Sequence, residues 1–148
     1  MDYAITSQDL EGLSEDQQVA IMESLVLSVA ADHRTSKAET TQFEAAINAI
    51  PWKLEPAKVM SHLSDVRNRV LAQRNPAEAA SLVNQIAERL PFPKLREKLF
   101  HAMASIMAVE GTPNADDKTL LFDYVKAFGM TGPQVDAIKA DIKSAHAS

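Results

Sequence analysis

Four carboxylates stand at a spacing that suits binding of a hard cation. Asp32 and Glu39 bracket one short turn, Glu110 and Asp117 bracket another, and each pair is seven residues apart. The two stretches align at an offset of 78 residues, with Ala31-Asp32-His33 through Glu39 lying against Val109-Glu110-Gly111 through Asp117. Ca²⁺ and Mg²⁺ take several oxygen ligands at once, so four converging carboxylates would form a site for one such ion. A second reading needs no ion. Glu39 stands three residues after Ser36, and Asp117 three after Asn114. In a capping box the acid at that position accepts the N-cap amide hydrogen and meets the positive end of the helix. Asp32 and Glu110 fall at helix C-termini, where an acid opposes the dipole, and capping does not account for them. Both readings stay open. An EF-hand is excluded by counting: the twelfth position is Phe43 from Asp32 and Leu121 from Glu110, and the sixth is Lys37 or Ala115 in place of glycine.

Little else in the chain offers chemistry. The histidines are His33, His62, His101 and His146; none belongs to an HExxH motif or follows a glutamate by three residues, as di-iron bundles require. Glu97 and His101 are four apart on one helix and are expected to form a local pair. There is no phosphate loop, no glycine-rich dinucleotide turn and no Gly-x-Ser-x-Gly elbow. Without cysteine there is no thiolate ligand, nucleophile or disulfide. No catalytic or cofactor-binding residue is expected, and the chain does not read as an enzyme.

Helices must position the acidic turns, and their punctuation is clear. Ser14-Glu15-Asp16-Gln17 is a capping-box pattern opening a helix over about 15–31, with Val19, Ile21, Met22, Leu25, Val26 and Val29 at helical spacing. Ser36-Lys37-Ala38-Glu39 opens a second, through Phe43, Ala46, Ile47 and Ile50, stopped by Pro51. Glu55-Pro56 begins a third, whose expected buried stripe is Val59, Met60, Leu63, Val66, Val70 and Leu71. A fourth runs from Asn75-Pro76 to Leu90-Pro91, and a fifth from Pro93 to Gly111. Asn114 caps a sixth that ends at Gly129, and Thr131-Gly132-Pro133-Gln134 opens a seventh through Ile142, with residues 144–148 expected to fray. The matched flanks Ile21/Leu99, Met22/Phe100, Leu25/Met103, Val29/Met107, Ala30/Ala108 and Ile47/Val125 extend the repeat into the core. The expected fold is all-α: one compact domain of six to seven helices, core about 14–143, using a helix-turn-helix unit twice.

Composition agrees with that class. At 148 residues, 46% apolar and 24% charged, with four glycines, the chain has the length and makeup of one helical domain. The net charge of −5 is uneven, at −7 over residues 1–52, +4 over 53–98 and −2 over 99–148. The basic middle contains Arg67, Arg69, Arg74, Arg89, Lys94, Arg96 and Lys98. Overall acidity and the lack of interleaved aromatics argue against nucleic acid, leaving a solvated face or a protein-docking surface. No apolar run reaches the ~20 residues of a membrane span, and Met1-Asp2-Tyr3-Ala4 does not open a signal peptide, so a cytoplasmic location is expected.

The repeated pattern of an apolar helix, an acid, a short turn and an acid on the next helix resembles the tellurite-resistance TerB-like family. The resemblance covers roughly residues 20 to 142 and rests on Asp32 and Glu39 in the first turn and Glu110, Gly111 and Asp117 in the second. His33 stands where the family has glycine, Thr35 and Pro113 where it has aliphatics, and the acids Glu110 and Asp117 exchange length with the usual Asp and Glu. The resemblance implies a seven-helix bundle acting in tellurite and chemical-stress responses beside protein partners. It also implies a divalent cation held at Asp32, Glu39, Glu110 and Asp117. The alternative is a metal-free adaptor that docks a protein on the basic surface of 53–98.

Overall fold

The structure, a computed structural model, describes residues 3–30, 37–72, 76–109 and 115–147. Within them the chain is all-helical. Eight helices follow in order: α1 (Ser7–Leu10), α2 (Glu15–Ala30), α3 (Lys37–Ala49), α4 (Pro56–Leu71), α5 (Pro76–Arg89), α6 (Pro93–Met107), α7 (Ala115–Phe128) and α8 (Gly132–Ala147). The additional helix relative to expectation is α1, a single turn closed by its own capping box: Thr6 N–H donates to Asp9 Oδ2 at 2.8 Å and Asp9 N–H to Thr6 Oγ1 at 3.4 Å. Gly12, at φ +81°, then turns the chain into α2 through a conformation costly for any other residue type.

The predicted starts have local causes. Ser14 and Gln17 exchange reciprocal bonds at 2.9 and 3.1 Å at the head of α2, and Thr131 and Gln134 do the same at 2.8 and 3.3 Å for α8. Proline occupies the first turn of α4 and α6, where its missing N–H costs nothing. Gly129, at φ +66°, ends α7. The last helix runs further than expected, to Ala147, on an alanine-rich segment of high helical propensity.

The bundle is organised around α2, which packs against α3, α4, α5 and α6. Every residue from Gln18 to Ser28 is buried. A helix covered on all sides has no polar face. The second layer is made by α6, which contacts α3, α7 and α8, and by α5 lying on α7. One apolar cluster joins residues from Ile5 to Ile142, so burial begins ahead of the residue-14 boundary expected.

Two residues of the expected α4 stripe are outside. Met60 and Leu71 are 66% and 62% exposed, whereas Val59, Leu63, Val66 and Val70 are buried. At 100° per residue, positions 60, 67 and 71 fall on one line and positions 59, 63, 66 and 70 on another. With α4 resting on α2, the latter line faces inward, and Met60, Arg67 and Leu71 share the outer face. No helix among the described residues is long and apolar enough to cross a membrane.

Candidate functional site

Two of the four predicted carboxylates fall in the described residues. Glu39 is the third residue of α3 and Asp117 the third of α7. They are 8% and 4% exposed, an unusual degree of burial for acids in the first turn of a helix. Burying a carboxylate is costly unless its charge is met, so both belong to polar environments beneath the surface. Asp32 and Glu110 lie outside the described residues. Among the described residues no group of three His, Asp or Glu side chains comes together as a metal site. Glu39 and Asp117 thus supply hard oxygen donors of the right chemistry, while a complete ligand set would require the outer pair.

The helix starts keep the spacing of the sequence alignment: α2 starts at Glu15 and α6 at Pro93, α3 at Lys37 and α7 at Ala115, each 78 residues on. Of the matched flanks, Ile21/Leu99, Met22/Phe100 and Leu25/Met103 are buried in both members.

The basic middle is largely spent on internal contacts. Arg89 Nη2 donates to Glu23 Oε1 at 2.9 Å, and its Nη1 lies 3.3 Å from Asp16 Oδ1. Arg96 is a clamp: Nη2 donates to Ala87 O at 2.7 Å, Nη1 to Phe128 O at 3.2 Å and Nε to Leu90 O, while the guanidinium lies 5.2 Å from the centre of the Phe128 ring. One side chain therefore caps carbonyls at the ends of both α5 and α7, and its burial lowers the guanidinium pKa. Lys98 Nζ donates to Asp9 Oδ2 at 2.7 Å. Burial alone would raise the Asp9 carboxyl, but hydrogen bonds from Lys98 and Thr6 outweigh it and hold the group below its ordinary value. Arg67 remains exposed on α4, and Arg69 keeps 58% of its side chain in solvent.

His101 has a longer-range role than its sequence neighbour suggested. Its Nε2 lies 2.7 Å from Asp141 Oδ2 on α8, and Tyr3 stacks on its ring at 4.3 Å and 6°. Glu97 instead accepts from Gln134 Nε2. These contacts bind the N-terminal segment and α8 to α6. Trp52 packs against the core and donates from Nε1 to Ile47 O at 3.0 Å.

Sequence reasoning overlooked Glu23. It is 1% exposed on α2, its Oε1 faces Arg89 and, at 3.8 Å, Arg69, and its Oε2 has no hydrogen-bond partner among the described residues. Beside it, Tyr124 O–H donates to Ser24 Oγ at 2.7 Å and Ser24 donates to Ala20 O at 3.2 Å, a fully buried relay. Burial pushes the Tyr124 phenol far above its usual range and keeps it neutral. The available signal was an acid within the otherwise apolar and small-residue run Val19 to Val29. No protein-family model, curated protein or solved structure matches the chain.

Proposed function

We propose that the chain is a non-enzymatic, tellurite-resistance-like stress-response module that holds a divalent cation at its two acidic turns. The observation that carries this reading is the matched burial of Glu39 and Asp117, each third in a helix and 78 residues apart. A cap alone does not require a carboxylate to leave water; a buried cation site does. Asp32 and Glu110 would serve as the primary oxygen ligands, with Glu39 and Asp117 capping or assisting from the first turns of α3 and α7. The bound ion, Ca²⁺ or Mg²⁺, would supply positive charge that ties each helix pair together. The chain's contribution is to pre-position the acids on helices fixed by the core.

Thermal unfolding of EDTA-stripped protein with added Ca²⁺, Mg²⁺, Mn²⁺ or Zn²⁺ tests the reading, because an ion that binds only the native state must raise its stability. A rise of several degrees, abolished in Asp32→Asn/Glu110→Gln, is the expected result. Equal melting with and without every metal overturns it and reduces the acids to helix caps.

A second reading, a metal-free protein adaptor, draws support from the outer face of α4. There Met60 and Leu71 flank the exposed Arg67. Charge reversal at Arg67, Arg69 and Arg74, the last of which lies outside the described residues, would abolish partner capture on this reading, and melting would be indifferent to metal and EDTA.

A further inference from the structure

A cleft of about 450 Å³ opens between α4 and α5, with Glu23 of α2 at its base. Its cause is topological: α4 and α5 both rest on α2 but make little contact with each other. On α4, Val66, Arg69 and Val70 line the cleft at i, i+3 and i+4, and on α5 Glu78 and Leu82 do so at i and i+4. Val66, Val70, Ala72 and Leu82 supply the aliphatic part of the lining, and Ser81 and Gln85 of α5 add neutral polar groups beside the charged ones.

Three observations define what this cleft would accept. At its base, the Glu23 side chain is 2% exposed and its Oε2 has no hydrogen-bond partner among the described residues, although buried carboxylate oxygens are normally satisfied. At its mouth, the Arg69 guanidinium lies 3.8 Å from Glu23 Oε1, beyond hydrogen-bond length, and is 58% exposed, so its fork can receive a carboxylate. Around it, the charged lining residues among those described are Glu23, Glu78 and Arg69, so the cleft offers both signs of charge. A zwitterion answers both, with its cationic end at Glu23 and its anionic end at Arg69.

We infer that the α2–α4–α5 cleft binds a small zwitterion of the α-amino-acid class with an aliphatic side chain. Its ammonium group donates to the Glu23 carboxylate, its carboxylate pairs with Arg69 in the bidentate geometry that guanidinium favours, and its side chain packs on Val66, Val70 and Leu82. The inference is separate from the cation reading: neither Glu39 nor Asp117 lines the cleft.

Calorimetric titration of the full chain with L-leucine, isoamylamine and isocaproate tests it; the two analogues lack the carboxylate and the ammonium group respectively. L-leucine is expected to bind with Kd of about 1 mM or tighter, and each analogue about tenfold more weakly. Arg69→Gln, a change at an exposed side chain, is expected to weaken L-leucine about tenfold while leaving isoamylamine unaffected. Leu82→Trp, which fills the cleft without altering its charges, is expected to abolish binding, with circular dichroism verifying the fold. Absence of heat with L-leucine beyond the millimolar range overturns the inference. Equal affinity for L-leucine and isoamylamine, or for L-leucine in parent and Arg69→Gln, does the same.

Discussion

Replacing Arg89 by leucine should destabilise the bundle severely, and the structure sets the size. Glu23 keeps 2% of its side chain accessible, and its short cationic contact is Arg89 Nη2 at 2.9 Å. Among the described residues the other cation in reach, Arg69, is 3.8 Å away and more than half in water, so solvent screens it. Removing one member of a buried pair costs about 3–5 kcal/mol, since the remaining charge stays desolvated. Arg89 is itself 22% exposed and Arg69 offsets part of the loss, which places the cost near the lower end, at about 3 kcal/mol. At about 2 cal/mol/K per residue, that is a fall of about 10 °C in Tm. Glu23→Leu/Arg89→Leu removes both charges and should return to within about 1 kcal/mol of the parent, because an apolar pair avoids desolvation altogether. Urea unfolding of parent, both single variants and the double variant, followed by circular dichroism, closes the cycle. A cost below about 1 kcal/mol for Arg89→Leu, or a double variant as unstable as the sum of the singles, would refute the reasoning.

Two further perturbations probe the contacts that hold the ends of the bundle. The Asp9 carboxyl is held below its ordinary value in the folded chain, so its stabilising contribution is present above the unfolded value near pH 4 and disappears as pH falls through the lower folded value. Lys98→Met should therefore cost about 1 kcal/mol at neutral pH and progressively less as pH falls below the ordinary carboxyl value; a gap of equal size in urea melts at neutral and strongly acid pH would contradict this. Arg96→Met should cost about 3 kcal/mol, because the Leu90, Ala87 and Phe128 carbonyls lose their donor together. Arg96→Lys should recover little of it, since a single ammonium cannot reproduce the three-way fork; full recovery on thermal melting would show that charge alone matters.

Helix limits were legible because their causes are local. Pro56 and Pro93 in first turns, the Ser14/Gln17 and Thr131/Gln134 boxes and the left-handed Gly129 each act within a few residues. Thr6 and Asp9 carry the same signal, but α1 is too short for any apolar period to single it out. Faces were harder to read. Val59/Met60 and Val70/Leu71 are adjacent apolar pairs, and a helix turned toward one neighbour admits only one member of each. Of the candidate site, the positions of Glu39 and Asp117 in the first turns of α3 and α7 followed from sequence. Their burial did not, because it depends on what the bundle lays over them. The Glu23–Arg89 pair and the Arg96 clamp join residues 66 and 32 positions apart, distances over which local patterning carries no information.

The complete enclosure of α2 sets how this chain tolerates change. In a surface helix, acceptable substitutions recur every three to four positions, and a mutational scan displays the helix as a rhythm. From Gln18 to Ser28 that rhythm is absent: eleven consecutive side chains are sealed, polar and apolar alike. Each larger residue must displace a neighbour, and each smaller one leaves a void. Drift is therefore directed to the outer faces of α4 and α8, while α2 can change only in concert with the helices that enclose it.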